Sequence, residues 1–312
     1  MSLLERESAN CYRIRRRGKM RVDAVVYLNE ELRRAFSEDE ALRQLADAAA
    51  LPGVVEPVVG MPDIHTGFGL PIGGVMAVDA ADGVISAGAV GMDINCGVRL
   101  LRTKLEAKAL DKPLLRKLLN AIVERVPTGV GKKSRQAALV RKNLHSYLVK
   151  GVPFLIEQGF GRPEDLECIE EGGAMEGADP AAVSPEAVER GAQLSTIGGG
   201  NHFIELGLVD RVFDAAAAAK LGLSEGQLTV LIHTGSRGFG HQICTDFTAL
   251  MWKTAARMKL DIPTKGLAAV PIDSVEGRRY LAAMACAVNF AFCNRQWITH
   301  DVRQAFKAGM GG

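Results

Sequence analysis

The sequence predicts a mixed α/β fold, because strand-type and helix-type patterns both recur along its 312 residues. Short β-branched runs separated by glycines fill residues 54–103, which is typical of strands joined by tight turns. Residues 113–122 and 274–306 instead carry apolar side chains at helical spacing. This α+β pattern, with sheets flanked by helices, fits one large domain, and we expect a single domain over residues 1–312.

The N-terminal region begins with a basic segment, residues 13–21, which we interpret as a solvated strand or arm. The alternative is a surface that tracks phosphates. A helix is expected next, since Ser37 and Glu40 match a capping box, and Pro52-Gly53 should end it. The strands expected after it are Val54-Val55, Gly73–Val78, Gly83–Ile85 and Val98–Arg102.

The remaining elements follow from similar signals. Pro113 is expected to open a helix, and a basic patch follows at residues 132–142. Residues 160–190 are acidic and expected to be exposed. Leu228–Ile232 predicts a buried strand that places His233 at its C-terminal end, and the late helix should bury Cys286 and Cys293 in the core.

Composition limits the classes of partner. The formal net charge of +2 requires no nucleic-acid partner, so any surface that binds one must be local. No apolar run approaches the ~20 residues needed to span a bilayer, so no membrane partner is expected. The six cysteines form no Cys-x-x-Cys pair, and the start lacks the apolar region of a signal peptide. We therefore expect a cytoplasmic protein.

The strongest chemical signal is a set of four side chains in glycine-rich segments. Asp93 and Cys96 lie within Gly91-Met-Asp-Ile-Asn-Cys-Gly97, and His202 and His233 follow later. Carboxylate, thiolate and imidazole predict a divalent metal centre, with Mn²⁺ and Zn²⁺ both compatible. The alternative is a capped turn with a buried thiol.

Two other segments suggest phosphate and base recognition. In Gly198-Gly-Gly-Asn-His202, backbone NH groups and Asn201 are able to donate to phosphate oxygens. Glu205 is able to accept hydrogen bonds from a guanine edge, or is an ordinary strand carboxylate. Arg237 suits bidentate phosphate binding, or forms a surface salt bridge.

Asp63 and His65 are expected on a turn, because Pro62 and Gly67 flank them. Two roles remain open for Asp63. It caps a backbone NH group, or it acts as an acid or base partner or orients a histidine.

Taken together, these motifs resemble the RtcB-type RNA ligases. Seven segments match in family order: residues 61–65, 71–74, 91–98, 171–179, 200–203, 233–238 and 289–296. The resemblance implies an RtcB-like fold around a central polar metal-binding cleft. It also implies an enzyme that uses GTP and Mn²⁺ to join RNA ending in a 2′,3′-cyclic phosphate or 3′-phosphate to RNA with a 5′-hydroxyl, in tRNA splicing and RNA repair.

The resemblance also implies residue roles. Asp93, Cys96, His202 and His233 match ligands of a two-metal site, with Cys96 as the bridging ligand. The other matches are Asn201 for a phosphate contact, Phe203 and Glu205 for the guanine pocket, Arg237 for the RNA terminal phosphate, and Asp63 for orienting the nucleophile. An archease-type activator and a C-terminal partner chain are further partners that the resemblance suggests.

One departure from the family pattern is large. The family nucleophile is a histidine in a His-Arg-Lys-Gly-Ala-Thr-like motif, and none of the six histidines here has those neighbours. A further ligand histidine, after an Asp-Val-Ala-His-Asn-like segment, is also missing. We expect an N-terminal ligase portion that lacks the C-terminal third and is inactive alone. The alternatives are a non-catalytic metal- and RNA-binding fragment, a subunit of a split ligase, or a phosphodiesterase that opens cyclic phosphates.

Overall fold

The computed structural model describes residues 4–36 and 39–310 and confirms the mixed α/β class. The strands are β1 (Glu5–Arg6), β2 (Cys11–Ile14), β3 (Ala24–Tyr27), β4 (Val54–His65), β5 (Ile72–Val78), β6 (Val84–Ser86), β7 (Gly97–Glu106), β8 (Phe203–Leu208), β9 (Gln227–Thr234) and β10 (Ala269–Pro271). The helices are α1 (Glu30–Ala35), α2 (Asp39–Ala48), α3 (Ala87–Val90), α4 (Lys112–Arg125), α5 (Ala137–Glu157), α6 (Pro185–Arg190), α7 (Ala215–Leu221), α8 (Arg237–Arg257) and α9 (Val275–Met310).

The chain divides into two compact units. One comprises residues 1–92 and 242–282, and the other comprises residues 93–241 and 283–312. The single catalytic domain expected over residues 1–312 stays a prediction. Ser37, which the sequence assigns to a capping box, lies outside the described residues.

The first unit contains a five-stranded sheet in the order β1-β2-β3-β4-β5. Only β3 and β4 run parallel, and the other neighbouring pairs are antiparallel. Helix α2 covers β4 with buried Leu42 and Leu45. The basic segment begins in β2, where Arg13 pairs with Glu7 at 2.7 Å and Asp23 at 3.1 Å. These ion pairs favour the interpretation as a solvated strand.

The turn expected at Asp63 and His65 is wrong, because both residues lie in β4. His65 pairs with Ile72 of β5, and the register shifts between Gly60 and His65. Such an irregularity accommodates Pro62, which has no backbone NH group to donate a hydrogen bond to the neighbouring strand. Pairing with β5 therefore keeps the segment extended, and both side chains are exposed.

The second unit contains an antiparallel sheet in the order β7-β9-β8. The buried strand expected at residues 228–232 is confirmed as part of β9, the central strand. Its Val230 and Ile232 pack in a core with Ile298 and Val302 of α9 and with α4. Side chains alternate between the two faces of a strand. The residues of β7, β8 and β9 that do not face this core therefore form the other face of the sheet.

Helix α9 confirms the long helix expected near the C-terminus. Ser274 caps its first turn by accepting a hydrogen bond from the Gly277 backbone N. Cys286 and Cys293 are fully buried, as expected, and all six cysteines are free. Among the described residues, no helix combines the length and apolarity that crossing a membrane requires.

The acidic segment 160–190 consists of short 3-10 turns and α6. Several of its carboxylates are exposed, including Glu164 and Glu170. The expectation of exposure is wrong for Asp165, whose side chain is only 12% exposed. Asp165 accepts two hydrogen bonds of 2.7 Å from Arg303, so its charge is engaged inside the unit.

Candidate metal centre

The four candidate ligands converge at one end of the sheet of the second unit. Asp93 and Cys96 occupy the turn before β7, His202 immediately precedes β8, and His233 is the penultimate residue of β9. The ladder pairs Val98 with His233 and His233 with Phe203. Strand pairing thus brings together three segments that are distant in sequence.

The distances between the donor atoms are short. Cys96 Sγ lies 3.2 Å from His202 Nε2 and 3.3 Å from His233 Nε2. Asp93 Oδ2 lies 2.8 Å from His202 Nε2. Asp93, Cys96 and His202 thus place one oxygen, one sulfur and one nitrogen within 4.8 Å of one another, and His233 adds a second nitrogen next to the sulfur. Carboxylate, thiolate and imidazole are the donors expected of a divalent metal site.

The hydrogen bonding of Asp93 also fits a cation. Its Oδ1 accepts hydrogen bonds from Ser236 Oγ at 3.1 Å and from the Arg237 backbone N at 3.0 Å. Its buried Oδ2 accepts no well-aligned hydrogen bond from the described residues, despite the closeness of His202 Nε2. One oxygen fixes the carboxylate and the other is free to bind a metal.

The ionisation states follow from burial and charge. Burial alone would raise the pKa of Asp93, but the close polar contact with His202 and the charge of that ring bring it below the usual value. Burial and the negative charge of Asp93 raise the pKa of Cys96 to about 12, so the thiol keeps its proton at neutral pH without a cation. Burial and then His202 lower the pKa of His233, which favours the neutral imidazole that binds metals.

Two glycines make room for this arrangement. A Cβ atom at Gly235 would lie 2.5 Å from Asp93 Oδ2, and one at Gly198 would collide with the side chains of Arg237 and His202. Both positions require a residue without a side chain because functional groups occupy that space.

Arg237 opens α8 beside the cluster. Its Nη1 lies 3.3 Å from His202 Nδ1, and its Nε donates to Thr196 Oγ1 at 3.3 Å. Among the described residues, no carboxylate lies within ion-pair distance of this guanidinium, so the surface salt bridge is not observed. A guanidinium without a carboxylate partner beside a metal-type cluster is suited to bind phosphate oxygens.

The candidate guanine-binding residues lie along one face of the same sheet. Phe203 packs edge-on against His233, with ring centroids 5.4 Å apart. Glu205, two residues further along β8, pairs across the ladder with Leu231 and is exposed. Asn201 is exposed in the turn before His202. Phe203 and Glu205 therefore extend along β8 from the metal-type cluster, and Asn201 lies in the turn that leads into it.

The remaining candidates are Asp63 and two further histidines. Asp63 belongs to the first unit, and its role stays a prediction. His145 is exposed on α5, as expected of a surface residue. His300 packs against Phe160 with ring centroids 5.3 Å apart, and burial lowers its pKa, which supports a structural role.

The sequence interpretation missed Arg295, which connects two of the ligand-bearing segments. Its Nη1 donates to the backbone oxygens of Asn95 at 2.7 Å and Thr234 at 2.8 Å, and its Nη2 donates to Asn95 Oδ1 at 2.9 Å. Asn95 lies between the candidate ligands Asp93 and Cys96, with a left-handed φ of 55°. Thr234 follows His233 directly.

Asn294, the residue before Arg295, connects the segment that leads to His202 with the segment that follows His233. Its Nδ2 donates to the backbone oxygens of Thr196 at 3.2 Å and Gly235 at 3.0 Å, and its Oδ1 accepts from the Thr196 backbone N at 3.0 Å. Three polar residues in a row, 294–296, within an apolar helical pattern were the available signal. A buried polar group needs a partner, and here the partners are the ligand-bearing segments.

The fold is mixed α/β, and its carboxylate, thiol and imidazoles converge beside Arg237, which has no carboxylate partner among the described residues. These features define a class of proteins with a candidate divalent-metal centre next to a candidate anion-binding side chain. A family model described as tRNA-splicing ligase RtcB matches residues 44–312. The chain belongs to the RtcB family.

Individual relatives agree with this assignment. The chain is 46% identical over 293 residues to tRNA-splicing ligase RtcB of Archaeoglobus fulgidus, covering 94% of this chain and 60% of that protein. It is 46% identical over 290 residues to the protein of the same name from Thermococcus kodakarensis, covering 93% and 60%. RNA-splicing ligase RtcB of Mycobacterium bovis is 46% identical over 274 residues, with 86% and 62% covered. The chain thus spans about 60% of the length of these relatives.

Proposed function

We propose that this chain carries the metal-binding and part of the nucleotide-binding machinery of an RNA ligase. The reaction joins a 2′,3′-cyclic phosphate or 3′-phosphate RNA end to a 5′-hydroxyl RNA end with GTP and Mn²⁺. The observation that carries the proposal is the convergence of Asp93, Cys96, His202 and His233 beside Arg237. Membership of a family whose relatives are named tRNA-splicing ligases supports the same reaction.

Asp93, Cys96, His202 and His233 would hold Mn²⁺, with two ions per site in the intact family enzyme. A bound divalent ion stabilises the negative charge that develops on a transferring phosphoryl group. The protein contributes orientation. Ser236 fixes the Asp93 carboxylate, and the deprotonated Cys96 thiolate would lie between the two imidazoles.

The neighbouring side chains would bind the two substrates. Arg237 and Asn201 would contact the RNA terminal phosphate, because a guanidinium and an amide donate to phosphate oxygens. Phe203 offers an aromatic surface to a nucleobase, and Glu205 accepts hydrogen bonds from the guanine N1 and N2 groups. Asp63 would orient the nucleophile.

The biological setting that we propose is tRNA splicing and RNA repair, supported by the names of the relatives. The six free cysteines support a reducing, cytoplasmic location. An archease-type activator and a C-terminal partner chain remain proposed partners.

Metal titration tests the proposed centre. The purified chain should bind Mn²⁺ in calorimetry, and Cys96→Ala should weaken binding at least tenfold because the central thiolate is lost. Cys168→Ala is the matched control, since Cys168 is also exposed and free but not among the donor atoms. Equal Mn²⁺ affinity of Cys96→Ala and the unmodified chain would disprove the centre.

The nucleophile motif of the family does not occur within residues 1–312. We expect the 312-residue polypeptide, incubated with radiolabelled GTP and Mn²⁺, to form no covalent GMP adduct. Adding a protein that carries the motif should restore labelling. A GMP adduct on this polypeptide alone would refute the expectation.

A further inference from the structure

A cavity of about 830 Å³ in the second unit is strongly basic. It lies between β7, the segment 162–170 and the C-terminal half of α9. Seven Arg and Lys residues line it against three Asp and Glu, an excess of four positive charges. None of the four candidate metal ligands lines this cavity. The basic residues besides Arg295 are Arg99, Arg102, Lys104, Arg162, Arg303 and Lys307.

Arg99 is the most informative of these side chains. Its Nη1 donates to Gln296 Oε1 at 2.6 Å and to Thr299 Oγ1 at 3.2 Å, and both acceptors are uncharged. Among residues 4–36 and 39–310, no carboxylate lies within ion-pair distance of its guanidinium. Burial, and then the charge of Arg295, lower the pKa of Arg99 to about 10. A desolvated guanidinium without a counter-charge is unfavourable unless an anion is supplied.

The acidic residues of the cavity do not supply that anion. Both carboxylate oxygens of Asp165 are engaged by Arg303, and Oδ2 also accepts from Gln296 Nε2 at 2.8 Å. Glu164 and Glu170 are exposed. Asp165 therefore compensates Arg303, and the charge of Arg99 remains available to a ligand.

We propose that this cavity binds the phosphate group of a nucleotide or of an RNA strand, at a site that includes none of the candidate metal ligands. Arginine is the side chain best suited to phosphate because its planar guanidinium donates two parallel hydrogen bonds. The volume falls within the range typical of small-molecule sites. The site goes beyond the proposed ligation chemistry, since none of the residues proposed to contact metal, guanine or the RNA terminal phosphate lines it. Arg295 lines it and also holds the turn that carries Asp93 and Cys96.

The decisive experiment uses the full 312-residue chain in EDTA, without GTP. Binding of a fluorescein-labelled 12-nucleotide RNA is followed by fluorescence polarisation. The double variant Arg162→Gln/Lys307→Gln changes two exposed residues of the cavity, so the fold should persist. The matched control Arg190→Gln/Arg211→Gln removes the same charge at exposed positions of the same unit outside the cavity.

We expect the cavity variant to bind the RNA roughly tenfold more weakly. The plot of log affinity against log salt concentration should also become less steep by about two units, the change expected for two lost phosphate contacts. The control should change affinity less than twofold. Arg99→Gln should also weaken binding, with Arg99→Lys intermediate, and thermal melting checks that both fold. If Arg99→Gln does not fold, the RNA affinity of the double variant Arg162→Gln/Lys307→Gln decides whether the cavity binds RNA.

Competition identifies the source of the phosphate. Displacement of the RNA by GMP supports a free nucleotide, and displacement only by unlabelled RNA supports a strand. Cavity and control variants with equal affinity would overturn the proposal, as would RNA binding that depends on Cys96 rather than on the cavity. Because metal and GTP are absent, failure of the proposed ligase function would leave this result unaffected.

Discussion

At the scale of single residues, Arg295 shows how a side chain outside the candidate ligand set determines where the candidate ligands lie. It is 5% exposed, and its three hydrogen bonds hold the turn of Asp93 and Cys96 to the end of β9. A buried guanidinium with fixed acceptors is a rigid connection, because breaking it leaves several polar groups unsatisfied.

Arg295→Lys should therefore weaken Mn²⁺ binding even though the positive charge is kept. Lysine keeps the charge but cannot span Asn95 and Thr234 with a planar fork. We expect the free energy of unfolding to fall by about 3 kcal/mol, typical of breaking a buried charged hydrogen-bond network. Urea denaturation and calorimetry measure both quantities. An unchanged Mn²⁺ affinity in the folded variant would contradict the positioning role.

Gly235→Ala tests the space beside Asp93. The added methyl group would lie 2.5 Å from Asp93 Oδ2, so the carboxylate must move away from His202. We expect Mn²⁺ affinity to fall roughly tenfold, the consequence of about 1.4 kcal/mol in binding. Gly226→Ala is a control for backbone strain alone, because Gly226 also lies near β9 and has a positive φ of 77°, but a methyl group added there would meet nothing within 4 Å. Equal affinities in the two variants would argue against the steric explanation.

At the scale of elements, a carboxylate ties the 3-10 segment after α5 to α9. Arg303, Gln296 and the Arg162 backbone all donate to Asp165. Burial would raise the pKa of Asp165, but these partners, first Arg303, bring it down to about 2. A carboxylate with a lowered pKa stabilises the fold above its unfolded pKa, and this contribution is lost as pH falls toward 2.

Asp165→Asn should accordingly destabilise the second unit by about 2 kcal/mol at pH 7, from the size of the pKa shift. The difference between the variant and the unmodified protein should shrink as pH falls from about 4 toward about 2. Urea unfolding at a series of pH values measures it. A destabilisation that does not vary with pH would show that the ionised form is not responsible.

Asp301 on α9 should show the opposite pH dependence. Burial raises its pKa to about 6, although Ser195 Oγ donates to it at 3.1 Å. The folded state thus retains a proton that the unfolded chain releases near pH 4, so stability falls between about pH 4 and about pH 6. Asp301→Asn should stabilise the protein by about 2 kcal/mol at pH 7 and much less at pH 4. Equal effects at both pH values would contradict this assignment.

At the scale of the whole molecule, each compact unit is assembled from two separate stretches of chain. The second unit obtains Asn294, Arg295, Ile298 and Val302 from its C-terminal stretch, and these residues supply both core and positioning groups. The candidate metal centre therefore depends on residues far along the chain from its first ligand.

A chain ending after Ala282 should consequently lose both the cooperative unfolding of the second unit and Mn²⁺ binding. It retains all four candidate ligands, so a local site would survive this change. Circular dichroism melting and calorimetry measure the two outcomes, and a chain ending at Met310 is the control. Retention of Mn²⁺ affinity after the longer truncation would show that α9 is not required.

Much of this protein was determined by local sequence. Hydrophobic periodicity predicted β9 and α9, and the glycine-rich setting of Asp93, Cys96, His202 and His233 predicted that they would act together, because periodic burial and backbone freedom are local properties. Only the tertiary structure decided that Asp63 lies in a strand, that Asp165 is largely shielded, and that Asn294 and Arg295 hold the segments with the candidate ligands. Those outcomes depend on pairing and burial between distant segments, which the spacing of residues along one segment does not encode.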